Sequence, residues 1–311
     1  MNRRTLSYLL VLGISAGAAG AAIRAHADSP TMPTGAAAVF KGIAPDQIER
    51  ITPADRIQSV AAKQLENPTP SAIWQALEHG EKVDCLDCIP AVEKLLFARD
   101  AKTREISAWW LRRRMMGVFG PGETYERTVA TLATDGDATI RAYAAEALGE
   151  FLWAGGVDPV SAALVRDASP VVRAAAARAL ARLNNVGTNG EISKAMSDGN
   201  ADVRLAAVQS AMRINGFGDI ASVASLVSDS SAAVRRSAAS ALGAMHAKDS
   251  VAALVALTSA AQESDPVTRA EAVRALGLIG DKTALPALEA AQNDADGRVR
   301  DAARIAIRRV G

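Results

Sequence analysis

The sequence predicts an all-α chain folded as a right-handed α-solenoid of about seven helix pairs, with a helical cap at its amino-terminal end. Composition is the first reason. Of 311 residues, 67 are alanine, 49% are hydrophobic and only 4% are aromatic; alanine is the strongest helix former, whereas a sheet interior needs β-branched and aromatic bulk. Repetition is the second. Arg104, Arg141, Arg173, Arg204, Arg235, Arg269 and Arg300 follow one another at spacings of 37, 32, 31, 31, 34 and 31 residues, and such a steady period marks stacked supersecondary units. Third, the residues four places before these arginines are Asp100, Asp137, Ser169, Asn200, Ser231, Asp265 and Asp296, all of types that cap a helix start.

Residues 1–27 read as a signal peptide. Asn2-Arg3-Arg4 precedes an apolar, glycine-diluted stretch from Leu6 to about Ala22, and Ala25-His26-Ala27 fits a small-x-small cleavage site before Asp28. The stretch is short for a membrane anchor. Arg3-Arg4 followed by Thr5-Leu6 also resembles a twin-arginine signal in part, with Ser7 and Tyr8 departing from that pattern. The expected location is periplasmic or secreted, with no membrane contact after cleavage. Residues 28–51, containing Pro30, Pro33 and Gly35, read as a flexible leader. Thr52-Pro53 opens a helix to about Leu65, Pro68 to Pro70 break it, and a second helix from Ser71 to about His79 completes a cap over residues 52–88.

Cys85 and Cys88 form a CxxC turn just before a helix that Pro90 marks. In an oxidising compartment the pair reads as a structural disulfide, with a redox role as the alternative. Ile89 stands where haem attachment needs histidine, and of His26, His79 and His246 only His79 is near enough in sequence to help hold zinc. No cofactor and no metal site is expected.

The repeats over residues 89–311 share one design. Small residues recur three and four places after most marker arginines and a larger apolar one at seven, as in Ala144, Ala145 and Leu148, which makes one apolar helix face. A shorter apolar segment precedes each cap, so each unit is a helix pair that buries its faces only by stacking. Two residues before most caps stands a further acid: Asp135, Asp167, Asp198, Asp229, Glu263 and Asp294. Segments such as DASPVVRAAAARALARL and DSSAAVRRSAASALGAM resemble HEAT repeats of the PBS-lyase HEAT-like type. The match weakens in the fourth repeat, where Ala211-Met212 replaces the Ala-Leu pair. The resemblance implies that the seven marker arginines form a structural ladder with acids of neighbouring repeats.

Enzymatic branches of that family fit poorly. A bilin lyase reading conflicts with export, and the deoxyhypusine hydroxylase irons need paired His-Glu motifs, whereas Glu78-His79 is reversed and single. His246, before Ala247-Lys248, reads as an exposed turn residue. Formal net charge is +1, and loss of Arg3, Arg4 and Arg24 takes it to about −2, which disfavours nucleic acid as partner. Positions two, five and nine after each marker arginine are expected to face away from the core, on the concave side. The candidate partner site on the first three repeats is therefore Ile106, Trp109, Arg113, Tyr143, Glu146, Arg178 and Arg182, anchored by the tryptophans beside Arg112 to Arg114. The carboxyl-terminal repeat, which lacks a separate capping helix, is a second candidate, for self-association. The expected function is a non-enzymatic periplasmic scaffold or adaptor for another periplasmic protein. A redox-linked accessory protein, using Cys85 and Cys88 or docking an electron-transfer partner, is the alternative.

Overall fold

The computed structural model describes residues 52–64, 69–83, 85–114, 116–117 and 120–311. The signal peptide and leader expected over residues 1–51 lie outside the described residues.

Two helices, α1 (Pro53–Gln64) and α2 (Pro70–Lys82), come first. Each begins with a threonine before proline. Thr52 and Thr69 accept the amides of Asp55 and Ala72, and the proline, which has no N–H to satisfy, takes the first helical place. Seven helix pairs follow: α3 (Ile89–Leu95) and α4 (Ala101–Arg112), α5 (Glu123–Thr134) and α6 (Ala138–Phe151), α7 (Val157–Arg166) and α8 (Pro170–Leu183), α9 (Asn189–Ala195) and α10 (Ala201–Ala211), α11 (Ile220–Ser225) and α12 (Ala232–Ala244), α13 (Val251–Ala256) and α14 (Pro266–Ile279), α15 (Leu285–Ala291) and α16 (Gly297–Val310). A two-residue antiparallel pairing of Met116–Gly117 with Gly120–Pro121 fills the insertion between α4 and α5.

The second helix of each pair forms an inner layer and the first an outer layer. Inner helices pack far more closely on one another than outer ones do. Small residues permit this: a Cβ built on Gly149, Gly243 or Gly277 would stand 2.8, 2.7 or 2.7 Å from an atom of Ala179, Ala275 or Ala306 in the next repeat. Tight inner spacing beside looser outer spacing bends the array, with the inner helices on its concave side. The alanine doublets at three and four places after the marker arginines, such as Ala144-Ala145 and Ala238-Ala239, are fully buried. Helices α6, α8 and α14 end at Leu152, Asn184 and Gly280 in the left-handed region, at φ of 54°, 50° and 72°, a conformation only glycine takes without cost.

Two details differ from the sequence reading. Ser169 and Ser231 occupy the cap positions of α8 and α12, yet their side chains accept nothing from the helix. Pro170 has already removed one amide at α8. The fourth repeat also departs one residue earlier than expected. Counting from Arg204, Ser210-Ala211 takes the place of the Ala-Leu pair, with Ser210 Oγ 2.8 Å from the Ala177 carbonyl across the joint. Helix α10 stops at Ala211 and leaves Met212 39% exposed.

Candidate functional site: the inner groove

The marker arginines divide into those spent on structure and those left to the surface. At five joints the guanidinium forks onto an acid of the next repeat: Arg141 on Asp167, Arg173 on Asp198, Arg204 on Asp229, Arg235 on Glu263 and Arg269 on Asp294. For Arg204, Nε and Nη2 lie 2.6 and 2.8 Å from the two carboxylate oxygens, while Nη1 donates to the carbonyls of Asp198 and Gly199. Each acid also accepts the amide of the cap residue two places on, as Asp229 does from Ser231 at 2.8 Å. The arginine hydrogen bond is the main cause that holds Asp167, Asp198, Asp229, Glu263 and Asp294 below the usual carboxylate range.

The ladder is shorter than seven rungs. Arg104 does not reach Asp135. Its guanidinium lies 3.8 Å from the Tyr143 ring centre and donates to Glu146 at 2.8 and 2.9 Å, so the ring and the carboxylate turn it to the inner side. Arg300, with no described repeat beyond it, donates to the carbonyls of Asp294 and Ala295.

The tryptophan-arginine cluster is a joint between the first repeat and α2. Trp110 is fully buried and its Nε1 donates to the Leu77 carbonyl at 3.1 Å. Arg114 lies 3.9 Å from the Trp110 ring and pairs with Glu81 at 2.6 Å. Trp109 is half-buried, stacked on Trp74 with centroids 6.1 Å apart, and Arg113 pairs with the same Glu81 at 2.8 Å. Ile106 is only 4% exposed, contrary to its expected place on the open face. The position two after the arginine is also buried at Ala175, Ala206 and Ala302, whereas no residue at position five or nine is buried. Tyr143 is half-buried beneath Arg104.

The structure does bring Glu146, Arg178 and Arg182 together. They line a groove of about 630 Å³ along the inner faces of α4, α6, α8 and α10, with Arg104, Glu150, Gln209, Met212 and Arg213 also on its walls. The groove thus extends into the fourth repeat, beyond the three named from sequence. The same offsets of five and nine that picked out Arg178 and Arg182 also point to Gln209 and Arg213. Glu150 contacts Arg182, and burial pushes its carboxyl above the ordinary range. Arg178 is half exposed and 3.9 Å from Glu146. Arg213 is exposed and has no ion-pair or hydrogen-bond partner for its guanidinium among the described residues.

Cys85 and Cys88 form a disulfide. It sits in a short 3₁₀ turn between α2 and α3, with Cys88 fully buried and Cys85 half-buried. His246 is exposed at φ 51°, its Nδ1 2.9 Å from the Leu278 carbonyl. Among the described residues no group of three or more His, Cys, Asp or Glu side chains is placed to hold a metal ion, and no helix is long and apolar enough to cross a membrane.

A family model for HEAT repeats matches residues 125–186, 157–228 and 220–308. No curated protein is significantly similar to the chain. Among solved structures, the Escherichia coli protein YibA is similar at 18% identity and a TM-score of 0.57, over 85% of this chain and 94% of that one. A chain of the complex of Kap95p with RanGDP is similar at 15% identity and a TM-score of 0.56, over 82% of this chain and 39% of that one. The CpcE and CpcF complex of phycocyanin lyase from Nostoc is similar at 20% identity and a TM-score of 0.40, over 71% of this chain and 86% of that one. At these identities the likeness is one of fold.

Proposed function

For a chain that belongs to the HEAT-repeat family, we propose the role of an exported scaffold that holds another protein in its inner groove. The observation that carries this reading is the contrast between two sets of arginines. Ladder arginines are saturated by carboxylates and carbonyls, whereas Arg178 and Arg182 on α8 and Arg213 in the turn after α10 line one concave surface. Arginine on a preorganised surface is a residue type that dominates interface energetics. The first three repeats supply most of the wall and the fourth completes it. The tryptophan cluster belongs to the support of this surface, since Trp109 and Arg113 are tied to α2.

Export to the periplasm is part of the same reading. It is supported by the composition of residues 1–27 and by a disulfide of the kind that persists in oxidising compartments. Full burial of Cys88 favours a staple over an exchanging redox pair.

A photo-crosslinking amino acid placed at Gln209, in the groove, should trap a discrete protein adduct in cells. The same group at Glu126, exposed on the outer helix α5, should not. Adducts from the outer position alone would overturn the inner-groove assignment. Thiol trapping on intact cells checks compartment: cysteines found reduced would contradict export.

A further inference from the structure

The groove does not end at the wall described above. Arg178 and Gln209 also line a second hollow on the same face, continuing between α8 and α10 toward Val171 and Leu205. Val171 is 57% exposed and Met212 39% exposed; both are large apolar side chains left to solvent along one track. The charges beside this track are unequally satisfied. Arg104 is engaged with Glu146 and Arg182 with Glu150, while Glu105 is paired with Lys102. Arg178 and Arg213 are thus left with the weakest compensation on the groove wall. At the far end Asp202 lines the second hollow, so Arg213 and Asp202 stand at opposite ends of the apolar track with Arg178 between them.

We infer that this track binds an extended polypeptide segment whose carboxylate side chains pair with Arg178 and Arg213 and whose apolar side chains rest against Val171, Leu205 and Met212. The inference rests on the scaffold reading and names the chemistry of its partner. A carboxylate is planar and meets the guanidinium fork at two points, as the ladder does five times in this same chain. Asp202 sets the direction, because it repels acidic residues from the Val171 end. The segment therefore carries its acidic residues at the Arg213 end and apolar or basic ones at the other. Charge arranged this way selects register and partner more than it adds affinity.

The test uses the protein without residues 1–27 and a fluorescein-labelled dodecapeptide of Glu-Val-Ser repeats, with twins carrying Gln or Lys in place of Glu. Fluorescence anisotropy is read at low and at physiological salt. The Glu peptide should bind, and the double variant Arg178→Ala, Arg213→Ala should weaken it by about tenfold or more. The double variant Arg178→Glu, Arg213→Glu should reverse the preference and take the Lys twin. Circular dichroism matching the parent shows that either variant is folded. The proposal is overturned if the Gln twin binds as well as the Glu peptide, if charge reversal leaves the preference unchanged, or if nothing binds at about 1 mM. It is also overturned if a dodecamer of thymidylate displaces the Glu peptide at equal charge, since the groove would then take any polyanion. Any of these outcomes with the Gln209 crosslink retained removes only the acidic character of the partner. Loss of the crosslink as well removes the scaffold reading itself.

Discussion

Replacing Arg269 with alanine tests the ladder where it is most deeply set. The Arg269 and Asp294 side chains are only 6% and 5% exposed. The guanidinium makes two bonds to the carboxylate, at 2.8 and 2.9 Å, and two to the carbonyls of Glu263 and Ser264, at 3.0 and 3.1 Å. Alanine removes all four and leaves Asp294 buried with only the Asp296 amide. Breaking one partner out of a buried pair costs about 3 to 5 kcal/mol, and water entering the space left behind places this site at about 3 kcal/mol. Arg300→Ala is the internal control. That arginine donates to two carbonyls and has no carboxylate partner among the described residues, so its loss should cost about 1 kcal/mol. Urea unfolding followed by circular dichroism, with hydrogen exchange to detect separate unfolding of α15 and α16, reads both.

The pH dependence sharpens the test. Arg269 holds the Asp294 carboxyl below its ordinary value, so the stability it confers is present above the unfolded carboxylate pKa of about 3.9 and is lost as pH falls through the depressed folded value. In the alanine variant Asp294 is buried without its cation, its pKa moves up, and protonation relieves the penalty. The deficit of Arg269→Ala should therefore shrink between neutral pH and about pH 4. Equal costs for the two substitutions, or a deficit unchanged by pH, would refute the ladder argument.

Three further outcomes are expected. Gly277→Val should destabilise by about 1 to 3 kcal/mol, because a Cβ there meets Ala306 at 2.7 Å; a neutral melting temperature would mean the inner helices are not that close. Arg304→Ala with Arg308→Gly should raise the mass seen by light scattering at increasing concentration, since Val273 and Gly277 hold the same offsets in the repeat before, where Val273 is buried and Gly277 packs against α16; an unchanged mass would show that these charges do not keep the end apart. Cys85→Ala with Cys88→Ala should remove about 2 kcal/mol of loop-closure stabilisation and increase hydrogen exchange in α1 to α3 alone, whereas loss of protection in α14 to α16 would refute a local staple.

The repeat architecture was legible because each unit places one arginine, one cap-type residue and a small residue three places after the arginine at constant offsets, and the helix geometry follows from these. The ladder at Arg141 to Arg269 was legible for the same reason. Its two ends were not, because Arg104 responds to Tyr143 and Glu146 across a joint with an insertion, and Arg300 depends on what stands beyond it. Ile106 shows where the periodicity argument fails. A helical wheel at about 100° per residue puts the second position opposite the core, but it treats the helix as touching one neighbour. An inner solenoid helix is flanked on both sides and backed by its outer helix, so the second position is closed at Ile106, Ala175, Ala206 and Ala302 while the fifth and ninth stay open. Trp109 and Arg113 hold those two offsets in the first repeat, yet Trp74 and Glu81 of α2 claim them, and nothing in the spacing announces that contact.

Saturation of the ladder also bears on where binding energy can come from. A guanidinium already held by a carboxylate and two carbonyls has nothing to offer a partner unless a joint between repeats opens, which would cost about as much as the rung contributes. Arg173 and Arg204 are in this state. Arg178 lies five residues after Arg173 on α8 and Arg213 nine after Arg204, in the turn that follows α10, and both are only weakly compensated. A partner that supplies their carboxylates meets a surface whose backbone is fixed beforehand, so most of the ordering cost of binding falls on the partner. An extended segment ordered on docking fits that division of cost, and lengthening the peptide probe toward Asp202 with basic residues should tighten binding without weakening its dependence on Arg178 and Arg213.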